Sequence, residues 1–220
     1  MSDNPFTPRF EDLPREIPIF PLPGVAVMPG SMLPLNIFEP RYLAMVFDVL
    51  GSHRMIGMVQ PVPDAEDEPT SEVFGTGSAG RITSFSETRD GRLMLVLTGV
   101  CRFDIREELS GPQPYRRVIP DWTRFESDYR SESGVIADRD NLFSALRTYC
   151  ERASVEIAWK DAEALADQSL IDLLTVHLPL PVEEKQALIE SVTLRERADL
   201  LQGFIDLTNA RDASGRDIRH

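Results

Sequence analysis

Side chains that could support nucleophilic catalysis occur at only a few positions of this sequence. Lys160 and Lys185 are its only lysines, and a lysine beside a serine can act as the base of a hydrolase. Cys150 with His177 offers a second combination of nucleophile and base. However, no serine lies in a G-x-S-x-G motif, Cys150 occupies a predicted helical core position, and Lys185 follows Glu184 in a run that predicts a solvated ion pair. Hydrolysis is therefore an alternative function and not the preferred one.

The sequence gives even less support for a nucleotide-binding site or a metal site. A phosphate-binding loop needs Gly-Lys-Ser/Thr, and neither lysine follows a glycine. The histidines, His53, His177 and His220, are widely separated, and no C-x-x-C or H-x-x-x-H spacing occurs. Cys101 and Cys150 lie far apart and are predicted to be buried and reduced. The sequence thus predicts no cofactor and no metal.

The overall charge argues against a nucleic-acid ligand. The chain has 220 residues, of which 36 are acidic and 23 basic, giving a formal net charge of −13. Such a protein gains little from neutralising phosphates, so nucleic-acid binding is disfavoured. The N-terminus lacks the features of a signal peptide, and no apolar run approaches the ~20 residues that span a bilayer. We therefore expect a soluble, cytoplasmic protein without membrane contact.

One charged pair stands out in apolar surroundings: Glu39 and Arg41, at the end of the proline-rich stretch 17–42. Pro40 suits the first turn of a helix, where a missing N–H does no harm. We therefore interpret the three residues as a structural motif, in which Glu39 caps the helix and Arg41 fastens it to the preceding strands. A ligand clamp made by the two charges is the alternative.

Short strands are predicted for the first half of the chain. The stretch 17–42 holds six prolines and two glycines, which predicts short, bent edge strands. Asp90-Gly91 is the strongest hairpin signal, and residues 93–97 are apolar on both faces, as in a central strand. Arg102 alternates with apolar residues and is predicted to lie on the outward face. The acidic, proline-rich residues 61–72 are predicted to form a solvent-exposed loop.

The pattern changes near residue 124. Residues 126–134 are polar, and apolar residues then recur at helical spacing from Asp140 to Cys150, followed by predicted helices over 168–178 and 183–190. A Thr193-x-x-Glu196 capping box precedes a last helix to about Asn209. The sequence therefore predicts an α+β fold, in which a bent β-barrel with one inserted helix precedes a C-terminal helical bundle.

The proline-rich stretch I-P-I-F-P-L-P-G-V-A-V-M-P-G-S-M-L-P-L-N-I-F-E-P-R-Y closely resembles the opening of the N-terminal, substrate-recognition domain of the ATP-dependent Lon protease. The resemblance continues through Gly75-Thr76-Gly77, Asp90-Gly91-Arg92-Leu93 and the segment 97–103. It reaches the helical part at Leu178-Pro179-Leu180, and it covers roughly residues 16–207.

This resemblance implies a PUA-like β-barrel followed by a helical bundle. We accordingly predict a flexible segment 1–15, a PUA-like subdomain 16–125, a linker 126–138, a helical bundle 139–210 and a disordered tail 211–220. In Lon, this domain helps to capture unfolded or degron-bearing substrates and helps to hold the hexamer together. The ATPase and the Ser-Lys peptidase follow it, and none of their catalytic residues has a position here. We therefore expect a non-catalytic, stand-alone Lon-type domain.

The expected function is recognition of unfolded or apolar polypeptide segments, in protein quality control. The candidate contact residues are the apolar side chains Met28, Leu33, Phe38 and Tyr42. A protease or chaperone is the expected protein partner, together with a weak homo-oligomer. RNA binding, by analogy with PUA-like folds, is the first alternative, and a cryptic hydrolase is the second.

Overall fold

The computed structural model describes residues 6–63, 71–130 and 134–216, with side chains up to Arg211. Parts of four predicted segments lie outside the described residues: the N-terminal segment, the acidic loop, the linker and the tail. The chain divides into two compact units, residues 1–130 and 131–220. The fold class is α+β, as the sequence predicts.

Unit 1 is built on one six-stranded sheet with the order β2-β5-β4-β3-β1-β6. Strand β6 also pairs with β5, so five of the strands close into a ring and β2 extends the sheet at its edge. Among the strand pairs of the described residues, β1–β3 is parallel and the others are antiparallel. The strands are β1 (Ile17–Pro21), β2 (Met32–Ile37), β3 (Met55–Val59), β4 (Thr76–Glu87), β5 (Leu93–Leu109) and β6 (Arg117–Asp121).

The predicted hairpin at Asp90-Gly91 joins β4 to β5 and is confirmed. Gly91 has a φ of +81°, a conformation that favours glycine over residues with a Cβ atom. The predicted central strand at residues 93–97 is also confirmed, because this part of β5 pairs with β2 on one side and β4 on the other. Turn chemistry and apolar content thus located the middle of the sheet correctly.

Helix α1 (Pro40–Leu50) begins at its predicted proline and ends at Gly51. Its buried residues, Tyr42, Met45, Val46 and Val49, recur at helical spacing. They join the inward-facing side chains Leu35 and Ile37 of β2 and Leu93, Leu95 and Leu97 of β5 in one hydrophobic cluster. One side of the β2–β5 pair therefore faces α1.

A short 3-10 helix over Thr123–Tyr129 falls where the polar linker was expected to begin. It buries Phe125 and Asp128, and Asp128 forms an ion pair with Arg102 of β5, 2.6 Å between Nη2 and Oδ1. The Arg102 side chain is 1% exposed. The alternation predicted an outward-facing arginine, but the structure buries it because a segment distant in sequence supplies its carboxylate.

Unit 2 is entirely helical in its described secondary structure. Leu146, Leu170, Leu174, Leu188 and Leu201 belong to its hydrophobic core. Its helices are α2 (Arg139–Ala153), α3 (Trp159–Ala164), α4 (Asp167–His177), α5 (Val182–Glu190) and α6 (Leu194–Arg216).

The helix boundaries of unit 2 agree only partly with the predicted ones. The capping box is confirmed: the Glu196 N–H donates to Thr193 Oγ1 at 3.2 Å, and the Thr193 N–H donates to Glu196 Oε2 at 3.0 Å. Helix α3 was not predicted, since six residues give too little periodicity to recognise. Helix α6 passes the predicted end at Asn209 and continues to Arg216, through the first part of the predicted tail.

Candidate polypeptide-binding surface

Lys185 and Cys150 are both buried, which disfavours the nucleophilic arrangements that use these two residues. The predicted solvent exposure of Lys185 is wrong: the residue is 3% exposed, and its Nζ donates to the Val176 carbonyl at 3.0 Å. Burial lowers the pKa of Lys185 and raises the pKa of the Cys150 thiol. His177 is exposed at the end of α4, whereas Cys150 belongs to the core of the helical unit. Lys185 and Cys150 therefore serve packing, whereas Lys160 is exposed in α3.

The described residues contain no group of three or more His, Cys, Asp or Glu side chains that could hold a metal ion. Cys101 is buried, and burial together with the nearby Asp128 carboxylate raises the pKa of its thiol. Its Sγ donates to the Phe125 carbonyl at 3.6 Å. A protonated, hydrogen-bonded thiol of this kind is a packing group and not a nucleophile.

Glu39 and Arg41 pair with each other. Arg41 Nε and Nη2 donate to Glu39 Oε2 at 2.9 and 2.8 Å, and the guanidinium lies 4.6 Å from the centre of the Tyr42 ring. Glu39 occupies the N-cap position, but its side chain makes no capping hydrogen bond, so the predicted side-chain cap is wrong. The backbone carbonyl of Glu39 instead accepts from Leu43 N–H at 2.9 Å. Among the described residues, the hydrogen bonds, ion pair and ring contact of Arg41 are with Glu39 and Tyr42, so the predicted fastening of α1 to the preceding strands is not among them.

The four predicted contact residues lie in different environments. Met28 is fully buried, and Tyr42 is 7% exposed with its ring centre 4.1 Å from that of Phe20. Leu33 is partly buried against the hydrophobic cluster that contains Phe20 and Tyr42. Phe38, by contrast, is 60% exposed. Burial thus assigns Met28 and Tyr42 to the core, and Phe38 is the predicted residue that solvent and a ligand can reach.

Strand β2 shows which side of the sheet Phe38 belongs to. Exposed and more buried positions alternate along it: Met32, Pro34 and Asn36 are exposed, while Leu35 and Ile37 are buried. Successive side chains of a strand point to opposite faces, so the exposed residues share the side away from α1. Phe38, two residues after Asn36, continues this exposed series at the end of the strand.

Strand β5 adds apolar side chains to the same side. Met94 is exposed between the buried Leu93 and Leu95, and it pairs with Asn36 of β2. Val96 is partly exposed and pairs with Pro34. We use the name β2–β5 outer face for the surface made by these five side chains: Met32, Pro34, Phe38, Met94 and Val96.

Polar groups border the β2–β5 outer face. The Arg92 guanidinium lies 5.6 Å from the centre of the Phe38 ring and also pairs with Asp90 at 2.9 Å. Thr98, which pairs with Met32, forms a 2.9 Å hydroxyl–hydroxyl hydrogen bond with Thr83. The exposed Asn36 also lies on this side, paired with Met94, so the surface is mainly apolar with polar groups inside it and at its border. Protein-binding surfaces commonly combine apolar and polar groups in this way.

The sequence interpretation missed Met32 and Met94 as surface residues. Alternation within M-L-P-L-N-I was the available signal for Met32, because it separates the exposed from the buried positions. Met94 gave no such signal, since residues 93–97 are apolar throughout and resemble a strand covered on both faces. Within the described ranges, no helix has the length and apolarity needed to cross a membrane.

Comparison with known proteins identifies relatives over most of the chain. A family model described as the ATP-dependent protease La (LON) substrate-binding domain matches residues 16–206. The chain is 28% identical over 203 residues to Lon protease 2 of Myxococcus xanthus and 27% identical over 202 residues to the Lon protease of Anaeromyxobacter dehalogenans. Each alignment covers 87% of this chain but 23% of the relative, so the chain spans about a quarter of their length.

Solved structures show the same fold. The Lon N-terminal domain protein of Xanthomonas campestris matches with a TM-score of 0.60 and 21% identity, over 86% of this chain and 98% of that one. The N-terminal domain of the Mycobacterium avium complex Lon protease matches with a TM-score of 0.59 and 18% identity, over 87% and 98% of the two chains.

Proposed function

Because the chain belongs to the LON substrate-binding domain family, we propose that it binds unfolded or apolar polypeptide segments through the β2–β5 outer face. The observation that carries this proposal is the exposure of three large apolar side chains on one side of two paired strands: Met32 at 66%, Phe38 at 60% and Met94 at 44%. Isolated exposed apolar residues are ordinary, whereas a contiguous group of them marks an interaction surface.

The side chains on this face suit a ligand of variable sequence. Methionine is flexible and polarisable, so Met32 and Met94 can adapt to apolar groups of different shape. Phe38 supplies a rigid aromatic ring, which is the kind of residue that anchors interfaces. We therefore expect contacts with many apolar segments, each of modest affinity.

Side-chain contacts, and not strand addition, are the proposed mode of binding. Strand β2 stands at the edge of the sheet, where an extended peptide could in principle pair with its backbone. Pro34 in the middle of β2 has no N–H to donate, and proline at a sheet edge opposes such pairing. The main source of affinity for the polypeptide is therefore the burial of its apolar side chains against Phe38 and the two methionines.

We propose that any later degradation of the bound polypeptide is not catalysed by the residues of this chain. The family match is confined to a substrate-binding domain, and two of the candidate side chains, Lys185 and Cys150, are buried, whereas Lys160 is exposed. We therefore propose that the bound segment passes to a protease or chaperone partner, in protein quality control. The cytoplasmic location and the weak homo-oligomer predicted from the sequence remain part of this proposal.

A binding assay with a permanently unfolded protein tests the proposal. Fluorescein-labelled, reduced and carboxymethylated α-lactalbumin is titrated with the full chain, and fluorescence anisotropy is measured. Phe38→Ser should weaken binding about fivefold or more, the effect of removing an interface anchor. Phe47→Ser is the matched control, because Phe47 is 56% exposed but lies on α1, on the opposite side of the β2–β5 pair.

Two results would contradict the proposal. One is no association at high micromolar concentrations of the chain. The other is equal weakening by Phe38→Ser and Phe47→Ser, which would show that exposed phenylalanine contributes without regard to its position. Circular dichroism of each variant verifies that the fold is retained.

A further inference from the structure

The methionines of unit 1 fall into two separate groups. Met28, Met45, Met55 and Met58 are between 0% and 2% exposed. Met32 and Met94 are 66% and 44% exposed, and both lie on the β2–β5 outer face. Among the described residues, every solvent-exposed thioether therefore belongs to the surface proposed to bind polypeptides.

From this distribution we propose that Met32 and Met94 are oxidation sites, through which a peroxide reversibly weakens polypeptide binding. The inference rests on the proposed function of the β2–β5 outer face. It adds a covalent modification, the class of oxidant that causes it and the consequence for the ligand.

The reaction needs no group other than the thioether and the peroxide. A sulfur lone pair attacks one peroxide oxygen, an S–O bond forms and the O–O bond breaks. The departing hydroxide takes the proton from the transferred oxygen and leaves as water. The sulfur loses two electrons, which the peroxide gains, and the product is methionine sulfoxide.

Oxidation would change the chemistry of the surface without disturbing the core. A sulfoxide is polar and carries an oxygen that accepts hydrogen bonds. If an apolar segment covered Met32 or Met94, that oxygen would lose its water without gaining a donor, which opposes binding. Because both side chains already face solvent, the same oxygen remains hydrated in the unbound protein, and the fold should persist.

Competing oxidation of the two cysteines is suppressed. Cys101 and Cys150 are 1% and 2% exposed, and burial raises the pKa of each thiol. The reactive thiolate is therefore scarce in the folded protein. Among the described residues, the sulfur atoms that a peroxide can reach are therefore those of Met32 and Met94.

The test combines modification mapping with the α-lactalbumin titration. The full chain is treated with hydrogen peroxide, and peptide mass spectrometry locates the added oxygen. We expect sulfoxide at Met32 and Met94 before it appears at Met45 or Met55, with Met32 reacting faster. We also expect binding to weaken about fivefold or more and to recover after treatment with methionine sulfoxide reductases of both stereospecificities.

Leucine variants identify the residues responsible. In the Met32→Leu/Met94→Leu double variant, the ratio of binding before and after peroxide should stay near one, because leucine is apolar but has no sulfur. Met45→Leu is the matched control at a buried position, and it should retain the full loss seen with the natural sequence. Each variant is compared with its own untreated sample.

Three outcomes would overturn the inference: binding that withstands sulfoxide at both residues, equal peroxide sensitivity of the double variant and the natural sequence, or oxidation of the buried methionines first. A failure of the proposed function itself gives a different result. In that case untreated protein does not bind α-lactalbumin, or binds it without regard to Phe38→Ser.

Discussion

The two halves of strand β5 have the same secondary structure and opposite surroundings. The first half, residues 93–98, pairs with β2 and β4, and its side chains alternate between buried and exposed. The second half pairs with β4 and β6, and the 3-10 helix at Thr123–Tyr129 lies against it. There the residues from Gly99 to Phe103 are buried without interruption, before the strand becomes exposed at residues 106–108.

The difference shows that side-chain polarity alone does not decide burial in this strand. A methionine, Met94, is 44% exposed in the first half, whereas an arginine, Arg102, is 1% exposed in the second. The 3-10 helix accounts for the arginine: Asp128 supplies the carboxylate, and the Phe125 ring centre lies 4.4 Å from the guanidinium carbon. In the first half an apolar surface stays exposed and is available to a ligand.

The largest expected effect comes from removing the carboxylate that allows Arg102 to be buried. Asp128→Ala should lower the free energy of unfolding by about 3–5 kcal/mol, because the buried guanidinium and the Arg102 N–H would both lose the carboxylate that accepts their hydrogen bonds. Urea unfolding followed by circular dichroism measures the change. Glu126→Ala is the control, since Glu126 pairs with Arg130 at the surface and should contribute less than about 1 kcal/mol.

A double variant sharpens this prediction. Arg102→Met with Asp128→Leu replaces the ion pair by apolar groups, and it should be more stable than Asp128→Ala alone. If Asp128→Ala lowered the free energy of unfolding no more than Glu126→Ala does, the burial of Arg102 would not depend on its ion pair. The contrast between the two halves of β5 would then need another cause.

The next effect concerns the junction of the two halves, at Gly99. A Cβ atom added there would lie 2.0 Å from the Met28 carbonyl oxygen, and the Gly99 backbone exchanges 2.9 Å hydrogen bonds with Gly30 and Ser31. Gly99→Ala should therefore lower the free energy of unfolding by about 1–3 kcal/mol, the usual effect of overpacking, because the added Cβ atom displaces this segment. Gly75→Ala is the control, because nothing lies within 4 Å of the added Cβ.

Urea unfolding of the two glycine variants provides the measurement. Gly75→Ala should change the free energy of unfolding by no more than about 0.5 kcal/mol, as surface substitutions usually do. Equal stability of the two variants would show that the segment at Met28 moves aside without cost, and would refute the close packing at the junction.

Much of the framework was predictable from local sequence signals. Proline and glycine marked α1 and the hairpin at Gly91, because their backbone restrictions act within a few residues. The burial of Arg102 was not predictable, since its partner Asp128 lies 26 residues later in a segment with polar composition. Lys185 was misplaced for a related reason: its hydrogen-bond partner is the Val176 carbonyl of the preceding helix, α4.

The candidate surface was predicted only in part, because the exposure of its residues depends on contacts between segments that are distant in sequence. Composition identified an excess of apolar residues in the stretch 17–42, but it could not separate Met28, which is buried, from Phe38, which is exposed. That distinction depends on which face of β2 packs against α1. Met94 reaches the surface through the pairing of β5 with β2, a contact between residues distant in sequence.

The smallest expected effect on stability belongs to the exposed half of β5. Met94→Gln places a polar side chain of similar length on the β2–β5 outer face, where solvent already reaches the methionine. The free energy of unfolding should change by no more than about 0.5 kcal/mol, because little buried area is lost. Urea unfolding beside Leu95→Ala, which removes a buried neighbour on the opposite face and should cost about 2–5 kcal/mol, provides the comparison. A loss of more than about 1 kcal/mol in Met94→Gln would mean that this face packs against other parts of the chain and is not available for a ligand.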